Sequence, residues 1–189
     1  MWSKRAGVTF FAVMLVFTAG AALAIDMSCE IVNKAKGAEF SGKMYVSGEM
    51  VRMELPQSIV INRIDKGVMY VIMPGAKMYL EQPLDMHNIA TVSDKIPGET
   101  TRETIGKEVV DGHYTTKYKV TYKANGAKGE VYQWIEDMSG LMIKTSSIDG
   151  SWSMEYRNIK KGKQDPRLFE VPAGYKKLFG ALQDIGSLQ

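Results

Sequence analysis

The feature that most constrains this sequence is a period-two alternation of apolar and polar residues across residues 40–82. Short polar or glycine-containing breaks interrupt the alternation at intervals. Successive side chains of a β-strand point to opposite faces of the sheet, so this period is typical of strands that each have one apolar face. The run therefore predicts five consecutive antiparallel strands.

The rest of the chain repeats this pattern. One strand is predicted before the run, at residues 27–34, and five more within residues 101–159, where Asp111-Gly112 and Asn125-Gly126 are strong turn sequences. Turns spaced by about 8 to 12 residues are typical of all-β sheets and barrels. We therefore predict a mainly β (α+β) fold of about eleven strands, and a sheet of that size must curl, close or split to bury its apolar face.

Two segments lack the alternation and predict short covering helices. Residues 83–99 could hold one short helix within a long irregular connection. In residues 175–188, Leu178, Leu182 and Ile185 recur at helical spacing. A helix of that length is marginal alone, so we expect it to form only when it docks on the sheet.

The N-terminus predicts export. Lys4 and Arg5 precede an uncharged apolar run at residues 6–23, and Ala22-Leu23-Ala24 ends the run with small residues. This order is typical of a secretory signal peptide, with cleavage expected after Ala24 and a periplasmic destination. A retained membrane anchor is the alternative, because the run is nearly long enough to span a bilayer. Residues 25–189 are predicted to form a single domain.

The charge balance and the single cysteine narrow the function class. Without residues 1–24 the chain would keep 22 basic and 21 acidic side chains, a net charge of about +1. Nucleic-acid binding depends on concentrated positive charge, so it is not expected. Cys29 has no partner for an internal disulfide. It could be lipidated, join an intermolecular disulfide, or be buried as a small apolar residue, which free cysteines often are.

Motifs for catalysis, metals and cofactors are weak in this sequence. The two histidines, His87 and His113, fall on different predicted elements, and a metal site needs convergent ligands. No G-x-S-x-G nucleophile sequence is present. We therefore predict a protein that is not an enzyme, with no catalytic residue, no metal and no cofactor.

Methionine is unusually frequent, with thirteen in the chain and many on predicted apolar strand faces. Copper(I) binding, core packing and an adaptable apolar pocket could each explain this content. Aromatic and aliphatic residues interleave with the methionines, which argues against copper. We expect an apolar ligand-binding lining formed by Phe40, Met44, Val46, Val51, Met53, Tyr70, Ile72 and Met78.

Two basic stretches could contact a membrane surface. Lys160-Lys161-Gly162-Lys163 and Lys176-Lys177 are short clusters of the kind that bind anionic headgroups. Solvated turns contain such clusters as well. Peripheral contact with an envelope membrane is therefore a hypothesis beside the plain structural interpretation.

Five sequence stretches in combination resemble a known family. They are FSGKMYVSGEMVRME at 40–54, VMYVIMPGAKMYLE at 68–81, VDGH at 110–113, KYKV at 117–120 and FEVPAGY at 169–175. An exported chain with these stretches in this order resembles a bacterial envelope family of unknown function. That family is grouped with the LolA-like outer-membrane lipoprotein carriers and sorting proteins.

The resemblance implies a strongly curved antiparallel sheet, an unclosed barrel, whose concave apolar face is covered by helices. In the carriers this face receives acyl chains without doing chemistry on them. The expected protein is therefore a periplasmic, non-enzymatic binding protein for a lipid or a lipoprotein acyl chain. The alternative is an envelope scaffold protein with a dry core and no ligand.

Overall fold

A computed structural model describes residues 26–84, 95–124 and 126–178. Within these residues the chain forms twelve strands. They are β1 (Met27–Ala35), β2 (Ala38–Ser47), β3 (Met50–Glu54), β4 (Ile59–Arg63), β5 (Val68–Met73), β6 (Met78–Pro83), β7 (Glu99–Val110), β8 (His113–Ala124), β9 (Ala127–Glu136), β10 (Met142–Ser147), β11 (Trp152–Lys161) and β12 (Lys176–Lys177).

The twelve described strands form one sheet in the order β12-β6-β5-β4-β3-β2-β1-β11-β10-β9-β8-β7. Strands β1–β6 and β7–β11 are two antiparallel meanders, which β1 and β11 join by pairing with each other. The sheet does not close, because β12 and β7 lie at its two ends. The predicted fold class is confirmed, and β12 is a strand that the alternation did not reveal.

A contact that skips strands shows the curvature of the sheet. Asp111, in the turn between β7 and β8, accepts a hydrogen bond from the backbone N–H of Asn158 in β11 at 2.8 Å. Strands β9 and β10 lie between β8 and β11. Because neighbouring strands are about 4.8 Å apart in a flat sheet, the sheet must bend to bring the short Asp111 side chain to the backbone of β11.

The hydrogen-bond register of the first meander assigns its side chains to two faces. Directly opposite residues of an antiparallel pair point to the same face. One such row runs across β1–β6 through Cys29, Met44, Met53, Val60, Val71 and Leu80. We call the face with this row the methionine face. The neighbouring row in β2–β5 points the other way and contains Tyr45, Arg52, Ile61 and Tyr70.

The larger core lies on the methionine face of β1–β3 and continues into the second meander. Met27, Met44 and Met53 belong to one buried cluster with Leu141 and Ile143. Met44 is 1% exposed, and Leu141 and Ile143 are fully buried. The curvature of the sheet thus brings apolar residues from both meanders into a common core.

A C-terminal segment covers the opposite face. We call residues 162–178 the strap, and the opposite face the strap face. A 3₁₀ turn at Pro166–Phe169 places the Phe169 ring, which is fully buried, against Ile61 and Ile72. The strap then reaches the sheet edge, where β12 pairs in parallel with β6. The strap face therefore has a small core of its own.

Two buried arginines hold the strap to the sheet. Arg52 of β3 donates a hydrogen bond to the backbone carbonyl of Leu168 at 2.8 Å. Arg63 of β4 donates to the carbonyl of Phe169 at 3.3 Å and forms ion pairs with Asp65 and Glu170. The strap backbone is thus bound by charged donors, and charge-assisted hydrogen bonds are stronger than neutral ones.

The predicted helices are not found in the part of the chain that the structure describes. Residues 85–94 and 179–188, which hold most of both predicted helices, lie outside it. The described start of the second predicted helix, Lys176–Lys177, is a strand, because its backbone pairs with the edge of β6. Among the described residues no helix is long and apolar enough to cross a membrane.

Removing the Phe169 ring should destabilise the protein. The ring fills the strap-face core with no exposed surface, so Phe169→Ala leaves a cavity as well as losing apolar burial. We expect a loss of about 3–5 kcal/mol in the free energy of unfolding. Urea denaturation of the purified protein measures it. Met138→Ala, at a side chain that is 96% exposed, is the matched control and should change stability by less than about 0.5 kcal/mol.

Acidification should loosen the strap. A hydrogen bond from Arg63 holds the pKa of Asp65 below its ordinary value of 3.8. Burial opposes a similar lowering at Glu170, but the hydrogen bond and charge of Arg63 outweigh it and keep the pKa below 4.5. Carboxyl groups with lowered pKa values stabilise the fold above their unfolded pKa, and this stabilisation is lost as the pH falls through the folded pKa.

The expected result is a free energy of unfolding that falls as the pH drops below about 4.5. In Arg63→Met this fall should be shallower, because Asp65 and Glu170 lose the donor that lowers their pKa values. Urea titrations at a series of pH values test this. Lys34→Met, which removes an exposed ion pair with Glu39, should leave the slope unchanged. Equal slopes for Arg63→Met and the wild type would contradict the assignment.

Candidate functional site

The eight residues of the expected apolar lining lie on two faces. The register places Phe40, Met44, Val46, Val51, Met53 and Met78 on the methionine face. Tyr70 and Ile72 lie on the strap face instead, where they pack in the cluster around Phe169. The expectation that Tyr70 and Ile72 share one face with the other six residues is therefore wrong. The physical reason is that β5 is apolar on both faces, so only its hydrogen-bond register tells them apart.

The methionine face has a closed part and an open part. In β2 and β3, Met44, Val46, Val51 and Met53 are all buried. In β4–β6 every apolar side chain of this face is only half-buried. We call this set the open patch, and it consists of Val60, Met69, Val71, Met73, Met78 and Leu80. The open patch is apolar surface that continues a closed core, as in sites for apolar ligands.

The lining expected from the sequence contains only one residue of the open patch, Met78. In β5 it contains Tyr70 and Ile72, whereas the open patch contains their neighbours Met69 and Val71. The sequence contains no local signal that separates the two sets, because β5 is apolar on both faces. The pairing of Val71 with Val60 on one side and Leu80 on the other selects this row.

Cys29 lies in the row of Met44 and Met53 and is buried. Its expected burial is confirmed. Burial, with a smaller contribution from the charge of Glu30, raises the pKa of the thiol to about 12. The thiol is therefore neutral at physiological pH, whereas both disulfide exchange and strong metal ligation need the thiolate.

Two polar side chains on the described part of this apolar face each have a buried atom without a hydrogen-bond partner. Asn62 of β4 lies between Val51 and Met69, and Tyr156 of β11 lies opposite Ile31. The Asn62 Oδ1 atom and the Tyr156 hydroxyl are buried and have no hydrogen-bond partner among the residues that the structure describes. Burial raises the pKa of Tyr156, so its hydroxyl stays protonated. Buried polar groups normally have a partner, so both atoms are unusual.

A second polar cluster lies on β7–β10. The indole N–H of Trp134 donates to Glu108 at 2.7 Å, and Lys117 and Lys144 lie 4.7 Å and 5.1 Å from the Trp134 ring. The hydrogen bond from Trp134 lowers the pKa of Glu108, and Lys117 adds to this at 3.1 Å. These groups satisfy one another, as in a cluster that stabilises the fold.

The histidines do not meet in the described structure. His113 pairs with Glu136, with 2.5 Å between Nδ1 and Oε1, and His87 lies outside the described residues. Within residues 26–84, 95–124 and 126–178 no three His, Cys, Asp or Glu side chains are placed to hold a metal ion.

The chain belongs to a domain-of-unknown-function family, DUF4412, whose model matches residues 13–141. The resemblance inferred from the sequence to a family of unknown function is confirmed. No curated protein matches the chain in sequence.

Solved structures share the fold at low sequence identity. MucB in the Pseudomonas aeruginosa MucA/MucB complex is 13% identical, with a TM-score of 0.53 over 78% of this chain and 56% of that chain. A structure of MucB alone is 11% identical, with a TM-score of 0.54 over 79% and 58%. A weaker match, which does not by itself show a shared fold, is LprF from Mycobacterium bovis, 10% identical with a TM-score of 0.48 over 80% of this chain and 90% of that chain. This chain spans little more than half the length of the MucB chains.

The Cys29 thiol should be unreactive in the folded protein. It is buried and its pKa is raised to about 12, so almost no accessible thiolate exists at pH 8. We expect no reaction with a chromogenic disulfide reagent over an hour under native conditions, and one thiol released at once in urea. Rapid reaction of the native protein, or no thiol after unfolding, would contradict a buried free cysteine.

Proposed function

We propose that this member of the DUF4412 family is a non-enzymatic envelope protein that holds the acyl chain of a lipid or lipoprotein on its methionine face. The open patch is the observation that carries the proposal. Six apolar side chains remain half-buried there beside the buried residues of β2 and β3. A monomeric protein gains stability by burying such residues, so their exposure favours a partner that covers them.

The energetics of an acyl chain suit this surface. Each methylene that leaves water contributes about 0.8 kcal/mol, so a long chain provides affinity without any specific polar contact. Such binding needs an extended apolar strip rather than a deep catalytic cleft. The row of Val60, Val71 and Leu80 crosses the three strands of the open patch and provides such a strip.

The methionines of the open patch favour adaptable binding. Met69, Met73 and Met78 have flexible thioether side chains, which repack at little cost around apolar groups of different shape. Surfaces rich in methionine are used where one protein accommodates several related ligands. This composition favours recognition of acyl chains as a class.

The predicted signal peptide and the basic strap favour an envelope location. Cleavage after Ala24 would release the domain into the periplasm, where acylated proteins and lipids are handled. Lys160, Lys163 and Lys176 are exposed at or near the strap. They could contact anionic headgroups while the sheet exchanges its ligand with a membrane.

Native mass spectrometry tests the proposal directly. Protein purified from a Gram-negative periplasm without detergent should show a stoichiometric lipid adduct, which organic extraction would then identify. Leu80→Asp places a carboxylate in the open patch at a half-buried position, so the fold should survive. A charge beside an acyl chain is poorly solvated, and we expect the adduct to be lost and the affinity for a fluorescent fatty acid to fall at least about tenfold.

Val109→Asp is the matched control. Val109 is 61% exposed in β7, far from the open patch in strand order, so the same substitution there should leave the adduct unchanged. A bare mass for the wild type that persists after incubation with lipids and acylated peptides would refute acyl-chain binding. Equal loss of the adduct in both variants would refute its placement on the open patch.

A protein-interaction role is the second candidate. The similar MucB was solved in complex with MucA, so this sheet architecture is compatible with protein partners. In this chain the twelve-residue edge strand β7 exposes Ile105 and Val109. An exposed edge strand can pair with an extended segment of a partner. A bare mass in the experiment above would favour this role.

A further inference from the structure

Asn62 is the one amide side chain in the described part of the methionine face of β4–β6 that is buried. Its same-face neighbours are Val51 and Met69 across the strands and Val60 along β4. The side chain is 6% exposed, and its Oδ1 atom has no hydrogen-bond partner among the described residues. An apolar residue of similar size, such as leucine, would avoid this unpaired acceptor.

The position of Asn62 links the acceptor to the open patch. It pairs directly with Met69, and its neighbour Val60 belongs to the same patch. Tyr156, the other unpartnered group, lies four strands away in β11, beyond β3, β2 and β1, and is 1% exposed within the main core. Only Asn62 therefore borders the surface where an acyl chain would lie.

A carbonyl oxygen in apolar surroundings selects one kind of chemical group. It accepts hydrogen bonds and repels other acceptors, so an ester carbonyl or ether oxygen gains nothing beside it. An N–H or O–H group close to an acyl chain would satisfy it while the chain covers the neighbouring apolar side chains. Leaving a buried acceptor unpaired is unfavourable, so a ligand that supplies the donor is bound more tightly.

We infer that the acyl ligand has a hydrogen-bond donor next to its chain, an amide N–H or a hydroxyl, and that Asn62 Oδ1 accepts this bond. The inference rests on the proposed function, because it names the ligand class for the same face. Met69 and Val60 contact the first methylenes of the acyl chain, and the Asn62 amide oxygen accepts the hydrogen bond from the head group. Amide-linked acyl chains and glycerol monoesters both present such a donor.

Two matched probe pairs test this inference. N-palmitoylglycine methyl ester has an amide N–H, and methyl (palmitoyloxy)acetate replaces that N–H with an ester oxygen. 1-Monopalmitoylglycerol has free hydroxyls, and its dimethyl ether has none. Displacement of a fluorescent fatty acid measures the affinity of each probe for the wild type. In at least one pair, the probe with the hydrogen-bond donor should bind about fivefold to tenfold more tightly than its counterpart. The pair that discriminates identifies amide or hydroxyl as the donor.

Asn62→Leu removes the acceptor and keeps the apolar surface. The ratio of affinities between the probe with the donor and its counterpart without the donor should fall to about one. The counterpart should bind as tightly as it binds the wild type, or more tightly. Without ligand, this variant should be at least as stable as the wild type, since it removes an unpaired buried carbonyl. Met69→Leu is the control and should keep the discrimination. If leucine does not fit, Asn62→Val provides the same readout.

The outcomes separate the two proposals. Equal binding of donor and isostere by the wild type would overturn the role of Asn62 and leave acyl-chain binding standing. Discrimination that persists in Asn62→Leu would also overturn it, because another group would then be the acceptor. Failure of all four probes to bind the wild type would refute the proposed function itself, and the inference with it.

Discussion

The hydrogen-bond register of β1–β6 is the constraint on which the rest of this structure depends. A shift of one residue in any of these hairpins would move every side chain of the displaced strand to the opposite face. The register places Cys29, Met44 and Met53 in one row with Val60 and Val71. Because the same row is buried at one end and half-open at the other, the pairing builds both the core and the candidate site.

The two faces of the first meander are covered by different means. The strap face is covered by the chain itself, through the Phe169 ring and the hydrogen bonds of Arg52 and Arg63 to the strap backbone. On the methionine face, the buried part joins residues of β9–β11 in one core. That shared core extends from β1 to β3 and leaves the apolar side chains of β4–β6 on this face half-buried. The open patch therefore follows from the shape of the sheet, and no single residue creates it.

Strand positions were predictable from the sequence because each strand has a local signal. Period-two alternation marks the strands within residues 40–82, and Asp111-Gly112 marks the turn between β7 and β8. Strand β12 was not predictable, because two lysines contain no alternation and depend on the edge of β6 for their pairing.

The candidate site was predictable only in part, for a related reason. Alternation gives the period of a strand but not which of two apolar faces points to a given partner. In β5 this choice decides between Tyr70 and Val71, and it is made by pairing with β4 and β6. Asn62 was overlooked because a polar residue in a strand is expected at the surface, whereas pairing with Val51 and Met69 buries it.

Local choices that reduce stability are informative when they cluster. Elsewhere on the methionine face most described apolar residues are buried, as expected of a sequence selected for one fold, and the Tyr156 hydroxyl is its one unpaired buried polar group. Around β4 and β5 the opposite holds, since Met69 and Val71 are half-exposed and the acceptor of Asn62 is unpaired. Natural proteins depart from such consistency mainly at functional sites. A donor-bearing acyl ligand would resolve both departures at once, because its chain would cover the methionine and valine side chains while its head group bonds to the amide.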